Sequence, residues 1–233
     1  MKRLTVFILI LTAFISSCTN NDTVSQKSSK DVDAENIYFR YRVWGDEESG
    51  IVTAKLQYLL DGENGSSLAL DKPSKVEFDG KPVEPDSSAF EGAYYEVIAA
   101  AEDFAGRHII IFTDENGREY KEELDYPIIT LKTKLPETVR RNDLLLEVAG
   151  LKENDHVRLL LTDTSFYGRG IEKMDTVRGG KISISKTELE SLANGPIHLE
   201  LFREVEREPE ESTDAGGHLS VSYGLKREFL LEN

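Results

Sequence analysis

From Ile37 to Leu60 the apolar residues fall at every second position, and this alternation constrains the chain more than any other feature. Ile37, Phe39, Tyr41 and Val43 share one face of a strand. Gly45-Asp46-Glu47-Glu48-Ser49-Gly50 supplies a turn, and Val52, Ala54, Leu56, Tyr58 and Leu60 then line one face of a second strand. A period of two residues is the signature of a half-buried strand, because successive side chains point to opposite sides of a sheet. Val76 to Val83 reads as a tight hairpin and Tyr94 to Ala100 as a further strand. Arg107–Thr113 and Arg118–Leu124 flank Asp114-Glu115-Asn116-Gly117, whose Asn-Gly pair suits the positive φ angles of a hairpin turn.

A second block follows Leu135-Pro136. Leu144, Leu146 and Val148 alternate, and His156–Thr162 is an apolar strand ending in Asp163. Lys181–Ser185 reads as a short strand. Ser185 and Glu188 have the spacing of a capping box, predicting a short helix near Lys186–Ala193 before Asn194-Gly195-Pro196. Ile197–Phe202, Leu219–Tyr223 and Lys226–Leu231 read as closing strands. Some seven short strands per roughly 100 residues, with frequent turns, predict sandwiches. The expected fold is all-β: two consecutive antiparallel β-sandwich domains, residues 36–134 and 135–233, with one larger sandwich or barrel as the alternative.

The first residues carry a different signal. Met1-Lys2-Arg3 is basic, Leu4 to Ile15 is almost wholly apolar, and Ser16-Ser17-Cys18 follows. A run of about 12 apolar residues is too short for a permanent membrane helix, which needs about 20. A basic start, a short apolar run and small residues describe a cleaved export signal. Ile15-Ser16-Ser17-Cys18 resembles the lipobox of bacterial lipoproteins. That resemblance implies cleavage of residues 1–17, lipid on Cys18, and attachment to a membrane through that lipid. Residues 18–35 are then the lipidated cysteine and a polar stretch without aromatics, expected to act as a flexible tether.

The chain has 28 basic and 43 acidic residues; loss of Lys2 and Arg3 with the leader moves the net charge from −15 to −17. Such acidity argues against a nucleic-acid partner, whose phosphates need a basic footprint, and against a body lying flat on anionic lipid. Cys18 is the only cysteine. The folded part therefore has no disulfide, thiol nucleophile, zinc–thiolate site or iron–sulfur cluster.

The lipobox around Cys18, the polar tether and the two strand-rich blocks together resemble envelope lipoproteins with tandem immunoglobulin-like β-sandwich domains. The resemblance implies export, an envelope location on the outer membrane (periplasmic or surface face), and non-catalytic binding or scaffolding of a protein or glycan. An accessory carbohydrate-binding lipoprotein is the first alternative, and a hydrolase with an unrecognised site the second. The Cys-Trp-Cys signature of antibody domains is absent, since Trp44 has no cysteine to pack on.

No catalytic, metal or cofactor site is expected. His108, His156, His198 and His218 are too far apart for a ligand pair, and no G-x-S-x-G or S-x-x-K element occurs. Carboxylates stand together at Asp46-Glu47-Glu48 and Glu122-Glu123, but a glycosidase needs two at a fixed gap across a cleft, which spacing in sequence does not define. The run from Glu204 to Asp214, around Pro209 and before Gly216-Gly217, reads as a solvated hairpin loop, with calcium binding as the functional alternative. Asp163 to Gly180 is the candidate ligand-binding loop. Phe166, Tyr167, Arg169 and Arg178 stand there among glycines, and rigid aromatics give contact area at low entropic cost. In Tyr94-Tyr95, one ring is expected in the core and the other outside.

Overall fold

The computed structural model describes residues 27–30, 32–164 and 170–233. In chain order these form β1 (Lys27–Ser28), β2 (Ile37–Asp46), β3 (Ile51–Leu60), β4 (Leu68–Ala69), β5 (Lys75–Phe78), β6 (Lys81–Pro82), β7 (Pro85–Ser88), β8 (Gly92–Ala100), helix α1 (Ala101–Phe104), β9 (Gly106–Thr113) and β10 (Glu119–Tyr126). The second half adds β11 (Thr130–Leu131), β12 (Thr138–Arg140), β13 (Leu144–Ala149), β14 (His156–Asp163), β15 (Ile171–Thr176), β16 (Lys181–Ile184), helix α2 (Lys186–Glu190), β17 (Gly195–Arg207) and β18 (Gly217–Glu232). The fold is all-β, as the alternation requires.

One large sheet runs in the order β15-β14-β17-β18-β2-β3-β8-β7, with β12 attached to the end of β18. The smaller sheet β10-β9-β5-β6 covers its first-half strands, and β11-β13-β16 belongs to the second half. Alternation places the core. Phe39, Tyr41, Val43, Val52, Ala54, Leu56 and Tyr58 are all at most 1% exposed. Phe39 and Tyr58 meet Phe112 of β9 at ring-centroid separations of 5.2 and 4.7 Å, joining the two layers. In the second half Leu146, Ile182 and Ile184 share the core with Leu159, Leu161, Leu199 and Leu201.

The local turn chemistry is specific. Asp79 and Gly80 both have positive φ, as a two-residue hairpin between β5 and β6 needs. In the β9–β10 turn only Gly117 is left-handed. Asp114 Oδ1 there accepts the Asn116 and Arg118 backbone N–H groups, so the hairpin is a side-chain-capped turn with glycine in the left-handed position. The Ser185–Glu188 capping box forms, but α2 stops at Glu190.

Three sequence expectations change. Leu219–Tyr223 and Lys226–Leu231 are one strand, β18, that continues through Gly224. Gly224 is opposite Phe202, and a Cβ there would lie 2.7 Å from the Phe202 ring, so this glycine makes room for an aromatic cover rather than ending a strand. The acidic run keeps its six carboxylates exposed and forms the β17–β18 connection, as a solvated hairpin loop would, but it is not a free loop. Glu204–Arg207 belong to β17, and the residues beyond dock on the first half: Thr213 Oγ1 donates to Ile37 O at 2.6 Å, and Glu211 accepts from Lys121 N at 2.7 Å. The end of the stretch read as a tether is also part of the fold. Lys27–Ser28 pairs with β4, and Asp33 caps a short 3-10 turn at Ala34–Asn36.

The last hairpin explains the shape of the large sheet. β17 and β18 pair along their whole length, and β14 covers the half of β17 up to Phe202. The other half of β18, Gly217–Gly224, pairs in parallel with Phe39–Asp46 of β2. A hairpin that begins among second-half strands thus adds itself to the first-half sheet. β12 also joins β18 in parallel, and β1 with β4 forms a separate two-stranded parallel sheet; the other pairings are antiparallel.

Candidate functional site

Of the residues singled out in the sequence, Cys18, Phe166, Tyr167 and Arg169 lie outside the described residues. Arg178 is exposed at the tight turn between β15 and β16, where it exchanges two backbone hydrogen bonds with Lys181. Gly179 and Gly180 supply the positive φ angles of that turn. Asp163 accepts from Ala193 N at 3.0 Å.

His108, Glu122, Glu47 and Asp46 hold local structure. His108 of β9 is buried against Phe104, with ring centroids 4.1 Å apart. Its Nδ1 lies 2.7 Å from Asp79 and its Nε2 2.6 Å from the Phe104 carbonyl, so both ring nitrogens are engaged within the fold. Glu122 is buried and accepts from Arg207 and from Glu210 N. Glu47 accepts from Arg227, and Asp46 caps its turn through Ser49. Among the described residues no group of three or more His, Cys, Asp or Glu could hold a metal ion.

The distinctive surface is the outer face of the large sheet over β2, β3 and β8. Register aligns its side chains in rows across the strands. Ser222, Trp44, Thr53 and Ile98 form one row, and Ser220, Arg42, Lys55 and Glu96 the next. Trp44 is 40% exposed, because Ser222 and Thr53 on the neighbouring strands are too small to cover an indole.

Lys55 stands in the middle of this face. Its Nζ lies 4.3 Å from the Tyr94 ring centroid and 5.9 Å from that of Trp44, and Arg42 also approaches Trp44 at 5.9 Å. Both cations end on Glu91, at 2.8 Å from Lys55 and 2.7 Å from Arg42. Hydrogen bonds from Lys55 and then Arg42 hold the Glu91 carboxyl below the usual range. Partial burial works against the charge on Lys55, but its bond to Glu91 and the charges of Glu91 and Glu96 outweigh that and raise it. The face is therefore a fixed lattice of rings and paired charges.

Beside it opens a cleft of about 370 Å³ between the β3–β4 and β7–β8 turns. Arg40, Arg42, Gln57 and Glu91 line it, and Phe90 stands at its edge, 88% exposed. Gln57 is buried and donates to Glu91 O at 3.1 Å. Arg42 Nε is shut off from solvent with no hydrogen-bond partner among the described residues. Tyr95 is buried and Tyr94 lies on this outer face, the division expected for adjacent strand residues. A signal for the face was present in the sequence: Trp44 falls out of phase with Ile37, Phe39, Tyr41 and Val43, and so belongs on the solvent side.

The fold and this open face define an all-β, sandwich-built protein. No protein-family model matches the chain, and no curated protein matches it. Among solved structures it is similar to a tetra-tandem repeat from the extending region of a large adhesion protein, at 15% identity over 83% of this chain and 49% of that one, with a TM-score of 0.26. It is also similar to a bacterial ice-binding adhesin of 1.5 MDa, at 12% identity over 80% of this chain and 63% of that one, TM-score 0.24. A third is a protein of the Bacteroides ovatus mixed-linkage glucan utilization locus in complex with a mixed-linkage heptasaccharide, at 8% identity over 78% of this chain and 53% of that one, TM-score 0.21. The chain thus spans about half to two thirds of the length of these three.

Proposed function

We propose that the protein is a lipid-anchored, non-catalytic binding protein of the bacterial envelope that holds a glycan against the sheet face around Trp44. The observation that carries this reading is the exposed indole with hydroxyl-bearing Ser222 and Thr53 on either side and the Arg42–Glu91–Lys55 group beside it. An apolar ring face gives a sugar ring something to stack on, and fixed charged groups next to it serve hydroxyls as donors and acceptors. The face is open and shallow, which suits a polymer lying along it more than a small molecule that must be enclosed. Tyr94 and Phe90 extend the aromatic surface toward the cleft.

Soluble envelope and plant polysaccharides, screened against the chain from Thr19 onward, should include at least one that binds. Trp44→Ala should weaken that binding about tenfold or more, as loss of a central aromatic anchor does, while the melting temperature stays within about 2 °C. Unchanged affinity in Trp44→Ala would remove this face from the function. Absence of any glycan binding would shift the reading to a protein ligand.

The Met1–Cys18 pattern supports the anchor, because several acyl chains on one cysteine hold a protein without any contact between its body and the bilayer. The helices of the described residues are not long and apolar enough to cross a membrane. Cys18→Ala should move the protein from the membrane fraction to the soluble fraction. Retention in the membrane fraction would refute lipid anchoring.

A further inference from the structure

The large sheet ends at β7, and β7 is too short to finish it. Its four residues pair only with Gly92–Tyr95 of β8. Among the described residues, Glu96–Ala100 pair with β3 on one side and with no strand on the other. The phase of that free edge follows from two observations. Ala101 N donates to Gly50 O at 2.8 Å, so Ala99 and Val97, two and four residues earlier, also turn their backbone groups toward β3. Pro85, which has no N–H, sits opposite Tyr95, a position that needs none on that side. Glu96 and Ile98 therefore present their N–H and C=O groups outward, and Ala100 its N–H, while the Ala100 carbonyl begins α1.

A groove of about 620 Å³ lies against this edge, between β8, the β5–β6 hairpin and α1. Val83, Val97 and Phe104 give it an apolar floor, and Ile98 stands beside it 60% exposed. Its remaining charged side chains are mainly acidic. Asp79 is tied to His108 and Glu96 to Lys55, while Glu84 and Asp103 stand against the single lysine Lys81.

We propose that the free edge of β8 is a docking site for an extended segment of a partner protein, apolar at alternate positions and basic at those between. The unpaired ladder can be completed only by another extended backbone, which is how strand addition gains its affinity. Alternate side chains of an added strand fall on the floor formed by Val83, Val97 and Phe104. Those between them fall on the outer face beside Glu96, and Glu84 and Asp103 at the groove favour a positive charge on the added strand. A second copy of this chain is the poorer occupant, since its own edge is acidic and each chain carries a net charge of −15. This edge shares Glu96 and Ile98 with the rows of the Trp44 face, but Glu84, Asp103 and the apolar floor are its own, so Trp44→Ala and the Glu84 and Asp103 changes test the two sites separately.

The test uses a labelled peptide of alternating valine and lysine, read by fluorescence anisotropy, against a counterpart with glutamate in place of lysine. The basic peptide is expected to bind and the acidic one to bind at least about tenfold more weakly. Ile98→Pro removes an N–H that faces away from β3, and should abolish binding while Ile98→Thr preserves it. Should Ile98→Pro not fold, the exposed changes Glu84→Lys and Asp103→Lys together should invert the preference between the two peptides. Equal binding of both peptides, no binding of the basic one, or a β8-to-β8 dimer of the protein by itself would overturn the proposal.

Discussion

Glu122→Ala should cost about 3 kcal/mol of unfolding free energy, and so lower the melting temperature by roughly 10 °C. Glu122 on β10 is only 1% exposed, and both of its oxygens are used. Oε1 accepts from Arg207 Nη2, and Oε2 accepts from Glu210 N at 2.6 Å. Arg207 also donates to Glu123 O at 2.8 Å and to Glu208 O at 2.9 Å. Removing the carboxylate strands a guanidinium and a backbone N–H together. Losing one partner of a buried pair costs about 3–5 kcal/mol, and Arg207 is about a third exposed, which places the expected loss at the low end. Glu210→Ala is the control. Its contribution is the backbone N–H, and its exposed side chain should change stability by less than about 0.5 kcal/mol. In a double-mutant cycle, Arg207→Ala should cost far less once Glu122 is gone. A loss below about 1 kcal/mol for Glu122→Ala would return the 204–214 segment to the solvated loop that its charge suggests.

Phe39→Ala should be larger still, about 4 kcal/mol by chemical denaturation. Phe39 is wholly buried, and its ring meets four others: Tyr41 at 5.8 Å, Tyr58 at 5.5 Å, Phe112 at 5.2 Å and Tyr120 at 5.5 Å. Two of these partners lie on β9 and β10, in the opposing layer. Truncation therefore opens a cavity in the seam between the layers and removes several edge-to-face contacts. Phe39→Leu keeps most of the volume and should cost less than half as much. Tyr38→Ala, one residue away and on the other side of the strand, should also fall well below it. A loss for Phe39→Ala no greater than for Tyr38→Ala would mean that the two sheets do not pack as described.

The elements that could be read from the sequence share one property: their evidence is local. The side of β2 that carries Phe39 follows from a two-residue period, and the face that carries Trp44 follows from the same period taken out of phase. The Ser185–Glu188 cap closes within three residues, and the β9–β10 hairpin within a turn. Glu204–Arg207 gave no such signal. Val205 is the single apolar residue among them, and the next residue on its side, Arg207, pairs with Glu122 of β10, so no apolar period marks the strand. The candidate site was legible only in part. Trp44 and Tyr94 can be placed outward from their strands alone, but their meeting over Lys55 depends on which strands lie side by side.

By itself the sequence determined the all-β class, the buried faces of β2 and β3 and most turns, because side-chain alternation and turn chemistry act over a few residues. Only the tertiary structure decided that β18 lies parallel to β2, that the acidic run clamps onto β10, and that β8 keeps half of one edge open. Each of those is a choice of partner between segments as far as 180 residues apart. Such a choice is made by backbone hydrogen bonds, identical in every strand, and by burial summed over the whole sheet, neither of which marks a particular residue.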